Sequence, residues 1–198
     1  MIPDSLNNLI ESFKMLPGVG EKSAERFAYA VLDLDEDMVS QFAESIENIK
    51  NNIKRCSICN SLTDKNICSI CEDKTRDNNA LFVVDDPKNV FLFEKLNMFH
   101  GKYHVLNGLI NPLEGINPED IGIDLLIKRV EKEKFKEVIF ALKPSIEGET
   151  TMQYIKKILS KYDVKVSKIP IGIPMGTDIE YIDTMTLEMA FEDRKDVA

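Results

Sequence analysis

The sequence is notable first for what it lacks. No apolar run approaches the roughly 20 residues needed to cross a bilayer, which predicts a protein without a membrane span. The first residues, MIPDSLNNLIESFK, have no basic stretch followed by an apolar core, so they predict no secretory leader and a cytosolic location. No Gly-x-x-x-x-Gly-Lys-Ser/Thr motif is present, which argues against an intrinsic ATPase.

Positive charge is also scarce. The 25 Lys and Arg residues are outnumbered by 34 Asp and Glu, and the formal net charge is −9. This balance argues against a broad electrostatic surface for nucleic acid, so any contact with phosphate needs local clusters of cations. The only histidines, His100 and His104, lie where a loop runs into a predicted strand, and we expect neither to bind a metal.

Cysteine occurs only four times, as two Cys-x-x-Cys pairs that form the strongest chemical signal in the chain: Cys56, Cys59, Cys68 and Cys71. Two such knuckles predict a tetrahedral sulfur cage for Zn²⁺, and a cage with no position left for water is structural. Metal binding of about 10–16 kcal/mol would then supply much of the folding energy of this short segment. An iron–sulfur cluster is the main alternative, since disulfides need an oxidising compartment.

A glycine turn links two short helical patterns near the N-terminus. Gly18 and Gly20 allow backbone to approach a ligand closely, and the amides of Val19, Gly20 and the next helical turn are expected to point outward toward an anion. Lys22 and Arg26 lie one helical turn apart, where both could reach a phosphate. The pattern is typical of a helix-hairpin-helix that binds the DNA backbone. The alternative is an ordinary helix connection with solvated charges.

The remaining sequence predicts an α/β domain. After three helical patterns and the cysteine segment, short apolar or alternating stretches predict strands near residues 80–84, 103–106, 138–142 and 164–169. Helical patterns lie between them, near residues 87–97, 119–134 and 149–162. This alternation predicts a mostly parallel sheet flanked by helices.

Acidic residues follow two of these predicted strands. Asp85 follows the first, and Glu147 and Glu149 follow the third, at the edge of a parallel sheet where ligands gather. Carboxylates brought together there could hold Mg²⁺. Alternatively, Asp86 caps a helix that has Pro87 at its first position, and the glutamates lie in a solvated turn that starts another helix.

The order of these features resembles the bacterial RecR family of recombination mediators. The resemblance covers essentially the whole chain and is carried by LPGVGEKSAERFA, CSIC…CSIC, FVVDDP, KPSIEGETT and GIPMGTDIEYIDTMTL. It implies four parts: a helix-hairpin-helix region over 1–55, a zinc finger over 56–72, a Toprim domain over 79–175 and a C-terminal tail over 176–198. The apolar face of this tail is expected to pack either on another subunit or on its own sheet.

The resemblance also implies a function. RecR-like proteins are non-catalytic, cytoplasmic and nucleoid-associated, and they form dimers or ring-shaped tetramers that encircle DNA. They act with RecO and RecF to load RecA at gaps. By resemblance, Lys22 and Arg26 match the DNA-contacting positions of the hairpin and the four cysteines match the zinc ligands.

The sequence departs from the family and Toprim patterns at three places. Two of these departures argue against catalysis, and the third affects a local turn. Asp85 stands where the Toprim pattern usually has Glu, and Glu147 and Glu149 stand where catalytic Toprim enzymes carry an Asp-x-Asp pair. Thr177 and Asp178 follow Gly176 where the family tends to have a second glycine. A Mg²⁺-dependent Toprim nuclease or primase is the alternative function, and a purely protein-binding adaptor is another.

Overall fold

The computed structural model describes residues 2–195 and divides the chain into two compact units, 1–53 and 54–198. The last three residues of the expected tail therefore lie outside the described residues. None of the helices within residues 2–195 combines the length and the apolar character that a bilayer span requires.

The first unit consists of three helices: α1 (Asp4–Lys14), α2 (Glu21–Leu32) and α3 (Glu36–Asn52). Leu6 and Ile10 of α1 pack against Ala24 and Ala28 of α2, where two alanines allow the helices to approach closely. Helix α3 begins after Asp35, whose carboxylate accepts a hydrogen bond of 2.8 Å from the Met38 amide. The helical N-terminal region predicted from the sequence is confirmed.

Helix α3 differs from α1 and α2 in the burial of its side chains. Its apolar positions recur with helical spacing, yet none of its residues is buried. Phe42, Ile46 and Ile49 are all more than 40% exposed, at 45%, 56% and 62%. The apolar face of α3 is thus uncovered in the single chain.

The second unit opens with the cysteine segment. Strands β1 (Lys54–Arg55) and β2 (Leu62–Thr63) pair antiparallel on either side of the first Cys-x-x-Cys pair. The second Cys-x-x-Cys pair overlaps helix α4 (Ser69–Glu72). Because these elements are only two to four residues long, ordinary secondary structure stabilises them little.

A four-stranded parallel sheet with helices on both faces follows, and it confirms the predicted fold class. Its strands are β3 (Ala80–Val84), β4 (Lys102–Val105), β5 (Glu137–Ala141) and β6 (Lys165–Lys168). Its helices are α5 (Pro87–Lys95), α6 (Ile123–Glu133) and α7 (Ile146–Leu159). The strand order is β4-β3-β5-β6, so β4 and β6 form the two edges.

Alternating strand residues divide the core into two layers. On one face, Leu81 and Val83 of β3 pack with Leu126 of α6 and Ile155 of α7. On the other face, Phe82 and Val84 pack with Val90 of α5 and with Tyr103 of β4. This burial on both faces explains why the central strands are continuous apolar runs.

Helix α7 begins three residues earlier than the sequence pattern predicts. Ser145 caps it by accepting from the Gly148 amide at 3.2 Å, so Glu147 and Glu149 lie in its first turn. A Cβ atom at Gly148 would lie 2.0 Å from the Lys143 carbonyl oxygen. The glycine that resembles a loop residue in sequence is therefore needed for close packing inside a helix.

The tail forms a short helix, α8 (Thr184–Glu192), capped by Asp183, which accepts from the Thr186 amide at 2.9 Å. It contacts its own domain, because Asp193 lies 3.5 Å from Lys168 of β6. No residue of α8 is buried, and Phe191 is 69% exposed. The sequence left open whether this helix packs on its own sheet, and part of it does.

Candidate functional site

The glycine turn between α1 and α2 is exposed at the surface of the first unit. Gly18 adopts φ +82°, a left-handed conformation that favours glycine. The Val19 amide donates to the Leu16 carbonyl at 3.1 Å, which closes the turn. The expectation that the Val19 amide points outward was therefore wrong, since the turn itself uses that donor.

The N-terminus of α2 presents backbone donors instead. Gly20 is the N-cap residue, and no side chain caps the helix. The first helical hydrogen bond of α2 runs from the Ala24 amide to the Gly20 carbonyl at 3.0 Å. The amides of Glu21, Lys22 and Ser23 come before it and so have no acceptor within the helix. These donors and the positive end of the helix dipole favour an anion.

Gly20 leaves open space at the start of α2. Its backbone is extended, with φ −87° and ψ 173°, which any residue can adopt. A Cβ atom there would meet no heavy atom within 4 Å. The space beside the Gly20 backbone is therefore open, and glycine is also a favoured N-cap residue.

Lys22 and Arg26 extend this surface along α2. Both are exposed, and among the ion pairs of residues 2–195 neither has a carboxylate partner. The Arg26 guanidinium lies over the Phe27 ring, 5.4 Å from its centroid, which orients the cation. The turn, the helix end and the two cations thus lie together on one exposed edge.

Lys14 pairs with a carboxylate at the start of α2, a contact that sequence reasoning missed. Its ammonium lies 2.7 Å from Glu21 and 2.8 Å from Glu11. Hydrogen bonds to the carboxylates of Glu11 and Glu21 raise the pKa of Lys14 above its usual range. The helical spacing reveals the pair with Glu11, but the pair with Glu21 forms only because the turn brings α1 beside α2.

The four cysteines form one cluster in the second unit. Their sulfur atoms all lie within 4.8 Å of one another, and three of the side chains are buried. Cys59 Sγ lies 3.5 Å from Cys68 Sγ, and the Cys68 amide donates to Cys56 Sγ at 3.3 Å. Zinc–sulfur bonds of about 2.3 Å place tetrahedral ligands roughly 3.8 Å apart, so the cluster fits Zn²⁺.

The thiol chemistry of the cluster also fits a cation. The hydrogen bond between the Cys59 and Cys68 sulfur atoms lowers the pKa of Cys68 and raises the pKa of Cys59. Four thiolates so close together repel one another unless a cation neutralises them. The cluster therefore supports structural zinc, as the cysteine spacing predicts.

The cysteine knuckle docks on the edge of the parallel sheet, which sequence reasoning did not anticipate. The Val105 amide of β4 donates to the Cys59 carbonyl at 2.8 Å. The Asn60 side-chain amide donates to the Val105 carbonyl at 2.8 Å and to Asn107 Oδ1 at 2.6 Å. The knuckle thus pairs with β4 as a further strand would and covers that edge.

Two buried cations bind carbonyl groups near this edge of the sheet. The Lys102 ammonium donates to the Asp73 carbonyl at 2.7 Å and the Ile70 carbonyl at 3.0 Å, at the C-terminal end of α4. The Arg129 guanidinium of α6 donates to the Tyr103 carbonyl of β4. Both satisfy carbonyl groups that a neighbouring strand or helical turn would otherwise bind.

A cavity of about 440 Å³ lies at the carboxyl ends of β3 and β5, and we call it the acidic cavity. Its charged lining residues are Asp85, Asp86, Glu114, Lys143 and Glu147. The pKa of Glu147 is lowered, chiefly by a hydrogen bond from the Ser145 hydroxyl. The acidic cavity therefore suits a cationic group better than an anion.

Glu149 does not join Asp85 and Glu147 in this cavity. It lines a different, smaller cavity with Met152, Ile171 and Met189. Within residues 2–195, the four cysteines are the only group of three or more potential ligands with all their ligand atoms close together. Because residues two apart in a helix point in different directions, Glu147 and Glu149 diverge.

The two histidines do not form a pair. His100 is exposed, and His104 is fully buried on β4, with no hydrogen-bond partner at either ring nitrogen within the described residues. Burial, and secondarily the charge of Arg129, lowers the pKa of His104 to about 3. His104 is thus neutral at physiological pH.

Comparison with protein families gives four matches that follow one another along the chain. The RecR helix-hairpin-helix model matches residues 6–50, and the RecR four-cysteine zinc finger model matches residues 53–73. The Toprim domain model matches residues 79–170, and the RecR C-terminal model matches residues 172–195. Their order is that of the RecR family.

Proposed function

Since this chain belongs to the RecR family, whose domains support a role as a recombination mediator, we propose that it acts as a non-catalytic DNA clamp. The glycine turn and α2 bind the phosphate backbone through Gly18, Gly20, Lys22 and Arg26. The zinc finger is structural. We place this activity in recombinational repair, in the bacterial cytoplasm at the nucleoid.

The observation that carries the proposal is the exposed, uncapped N-terminus of α2. Lys22 and Arg26 lie beside it without carboxylate partners in the described part of the chain, and the nearby Glu21 pairs with Lys14. A phosphate at this position gains both backbone hydrogen bonds and charge pairing. Local charge of this kind compensates for a net charge of −9.

We further propose that the protein works as a homodimer or homotetramer. The uncovered apolar face of α3 and the exposed Phe191 of the tail support assembly, because exposed apolar patches mark protein interfaces. In a ring, several hairpins would bind the same DNA molecule. Such multivalency raises the overall affinity above that of a single hairpin.

The acidic cavity is the proposed docking site for a basic surface of RecO or RecF, through which the clamp helps to load RecA. Asp85 and Glu147 support this role because both line the cavity and Glu147 is held ionised. Glu149 lines a separate cavity and would contact the partner independently. The same separation argues against a metal-dependent nuclease or primase.

The decisive experiment removes the two cations of the hairpin. Lys22→Ala with Arg26→Ala should weaken DNA binding on the order of 10- to 100-fold near 0.1 M salt and reduce the slope of log affinity against log salt by about 2. The matched control is Lys128→Ala with Lys132→Ala, because these exposed lysines have the same helical spacing and the same charge. Equal binding by the hairpin variant and the wild type would refute the proposal.

A further inference from the structure

The acidic cavity has one wall that helices do not supply. The loop over residues 107–118 contributes Gly108, Leu109, Asn111, Glu114 and Ile116 to its lining. Apart from a single 3₁₀ turn at Pro112–Glu114 and one bridge between Asn111 and Ile116, this loop has no regular structure. Its shape therefore depends on where it is anchored.

The loop is anchored at its start by the cysteine knuckle. Asn60 follows directly after Cys59, and its side-chain amide donates both of its hydrogens, one to the Val105 carbonyl at 2.8 Å and one to Asn107 Oδ1 at 2.6 Å. Asn60 is only 9% exposed, so these bonds are largely protected from water. They join the knuckle both to the end of β4 and to the first residue of the loop.

The knuckle in turn fixes the position of Asn60. Its backbone adopts φ +62°, the left-handed conformation that Asn tolerates better than most residues. The Asn60 amide donates to the Cys56 carbonyl at 2.9 Å, which closes the turn between the two ligands of the first knuckle. The metal that holds Cys56 and Cys59 together thus also holds the amide of Asn60 toward the loop.

A second anchor lies three residues further along the loop. The Ile110 amide donates to the Thr151 hydroxyl at 2.8 Å, and that hydroxyl donates to the Glu147 carbonyl. The loop therefore spans from the zinc finger at Asn107 to the turn of α7 that carries Glu147. This path connects the metal centre to both walls of the acidic cavity.

We infer that Asn60 is a positioning residue that couples the zinc finger to the acidic cavity by holding the loop over 107–118. Loss of the Asn60 amide, or loss of zinc, loosens the start of this loop, where the Asn107 amide still donates to the Ile121 carbonyl at 3.0 Å, and so widens the range of cavity shapes. The consequence for partner docking rests on the proposed function of that cavity. The coupling itself can be measured without a partner.

The test is hydrogen exchange of the full-length, zinc-loaded protein, measured by mass spectrometry over residues 106–118. Asn60→Gly removes the side-chain donor and keeps the left-handed backbone accessible. It should speed exchange in this segment at least about fivefold, which corresponds to the loss of roughly one hydrogen bond. The control is Asn66→Gly, which changes an exposed asparagine of the same zinc finger whose side chain donates to nothing within residues 2–195.

A second variant and removal of zinc test the same coupling independently. Asn107→Ala removes the acceptor without altering the knuckle, so it should speed the same amides at full zinc content. Chelation of zinc should speed them in the wild type at least as much as Asn60→Gly does, because it also releases the Cys59 carbonyl that accepts from the Val105 amide. Unchanged exchange in Asn107→Ala, or in Asn60→Gly with zinc retained, would overturn the coupling. Faster exchange together with normal docking of RecO would leave the coupling standing and refute its consequence for docking.

Discussion

Lys14 Nζ lies 2.7 Å from a carboxylate oxygen of Glu21, across the turn that joins α1 to α2. Glu21 occupies the first turn of α2, where a free carboxylate would compete with a phosphate for the helix N-terminus. Lys14 removes much of that competition. Because the same ammonium also pairs with Glu11 at 2.8 Å, this cross-helix pair lowers the negative charge beside Lys22 and Arg26 but adds no net positive charge.

The first prediction tests this neutralisation. Glu21→Gln should strengthen DNA binding several-fold at low salt, because it removes a negative charge beside the bound phosphate. Lys14→Met should weaken binding in the wild type and have little effect in a Glu21→Gln background. Fluorescence anisotropy with a labelled DNA measures all four proteins. An equal loss from Lys14→Met in both backgrounds would mean that Lys14 itself contacts DNA.

The two glycines of the turn should respond differently to alanine. Gly18→Ala forces a side chain into φ +82° and should cost about 1–2 kcal/mol of stability. Gly20→Ala has space and an ordinary backbone, so the free energy of unfolding should change by less than about 1 kcal/mol. DNA binding should nevertheless fall in Gly20→Ala. Denaturant unfolding and anisotropy, run together, separate the two effects, and intact binding in Gly20→Ala would argue against close backbone approach.

A third prediction concerns acid stability and His104. Its pKa is about 3 in the folded chain because of burial, against about 6.5 in an unfolded chain. Between these values the unfolded state binds a proton that the folded state does not, so stability falls as the pH falls. Lowering the pH from 7.5 to 5 should cost about 2 kcal/mol through this residue alone.

The measurement compares His104→Leu with the wild type. Thermal unfolding at pH 7.5 and pH 5 should give a smaller acid-dependent loss in the variant, because leucine cannot bind the proton. Zinc release also destabilises the protein in acid, but it affects both proteins alike. An identical pH dependence in the two proteins would show that His104 finds a partner for its charged form.

The fourth prediction addresses catalysis at the acidic cavity. With Mg²⁺ and end-labelled DNA, the wild type and Glu147→Gln should both leave the substrate intact, because Glu149 lines a different cavity from Asp85 and Glu147. Gel electrophoresis of the products over several hours is the measurement. Cleavage by the wild type that Glu147→Gln abolishes would establish the enzymatic alternative instead.

Much of this architecture follows from local sequence patterns. Cysteine spacing predicts the zinc cluster, the glycine turn predicts the exposed helix end, and Asp86 with Pro87 predicts the start of α5, where the Asp86 carboxylate accepts from the Lys88 amide at 2.8 Å. Each of these depends on residues close together in the chain. Glu147 and Glu149 illustrate the limit, because their separation depends on Gly148 packing against the Lys143 carbonyl and starting α7 early.

The sequence by itself determined the parts: three N-terminal helices, a four-cysteine metal centre and an alternation of strands and helices that must form a parallel sheet. Tertiary structure alone decided how the parts meet. Residues far apart in sequence, such as Asn60 and Asn107 or Lys14 and Glu21, become partners only after the chain folds. The physical reason is that helix and strand periodicity reports which side of an element is buried, whereas a hydrogen bond or ion pair between elements depends on the register in which they pack.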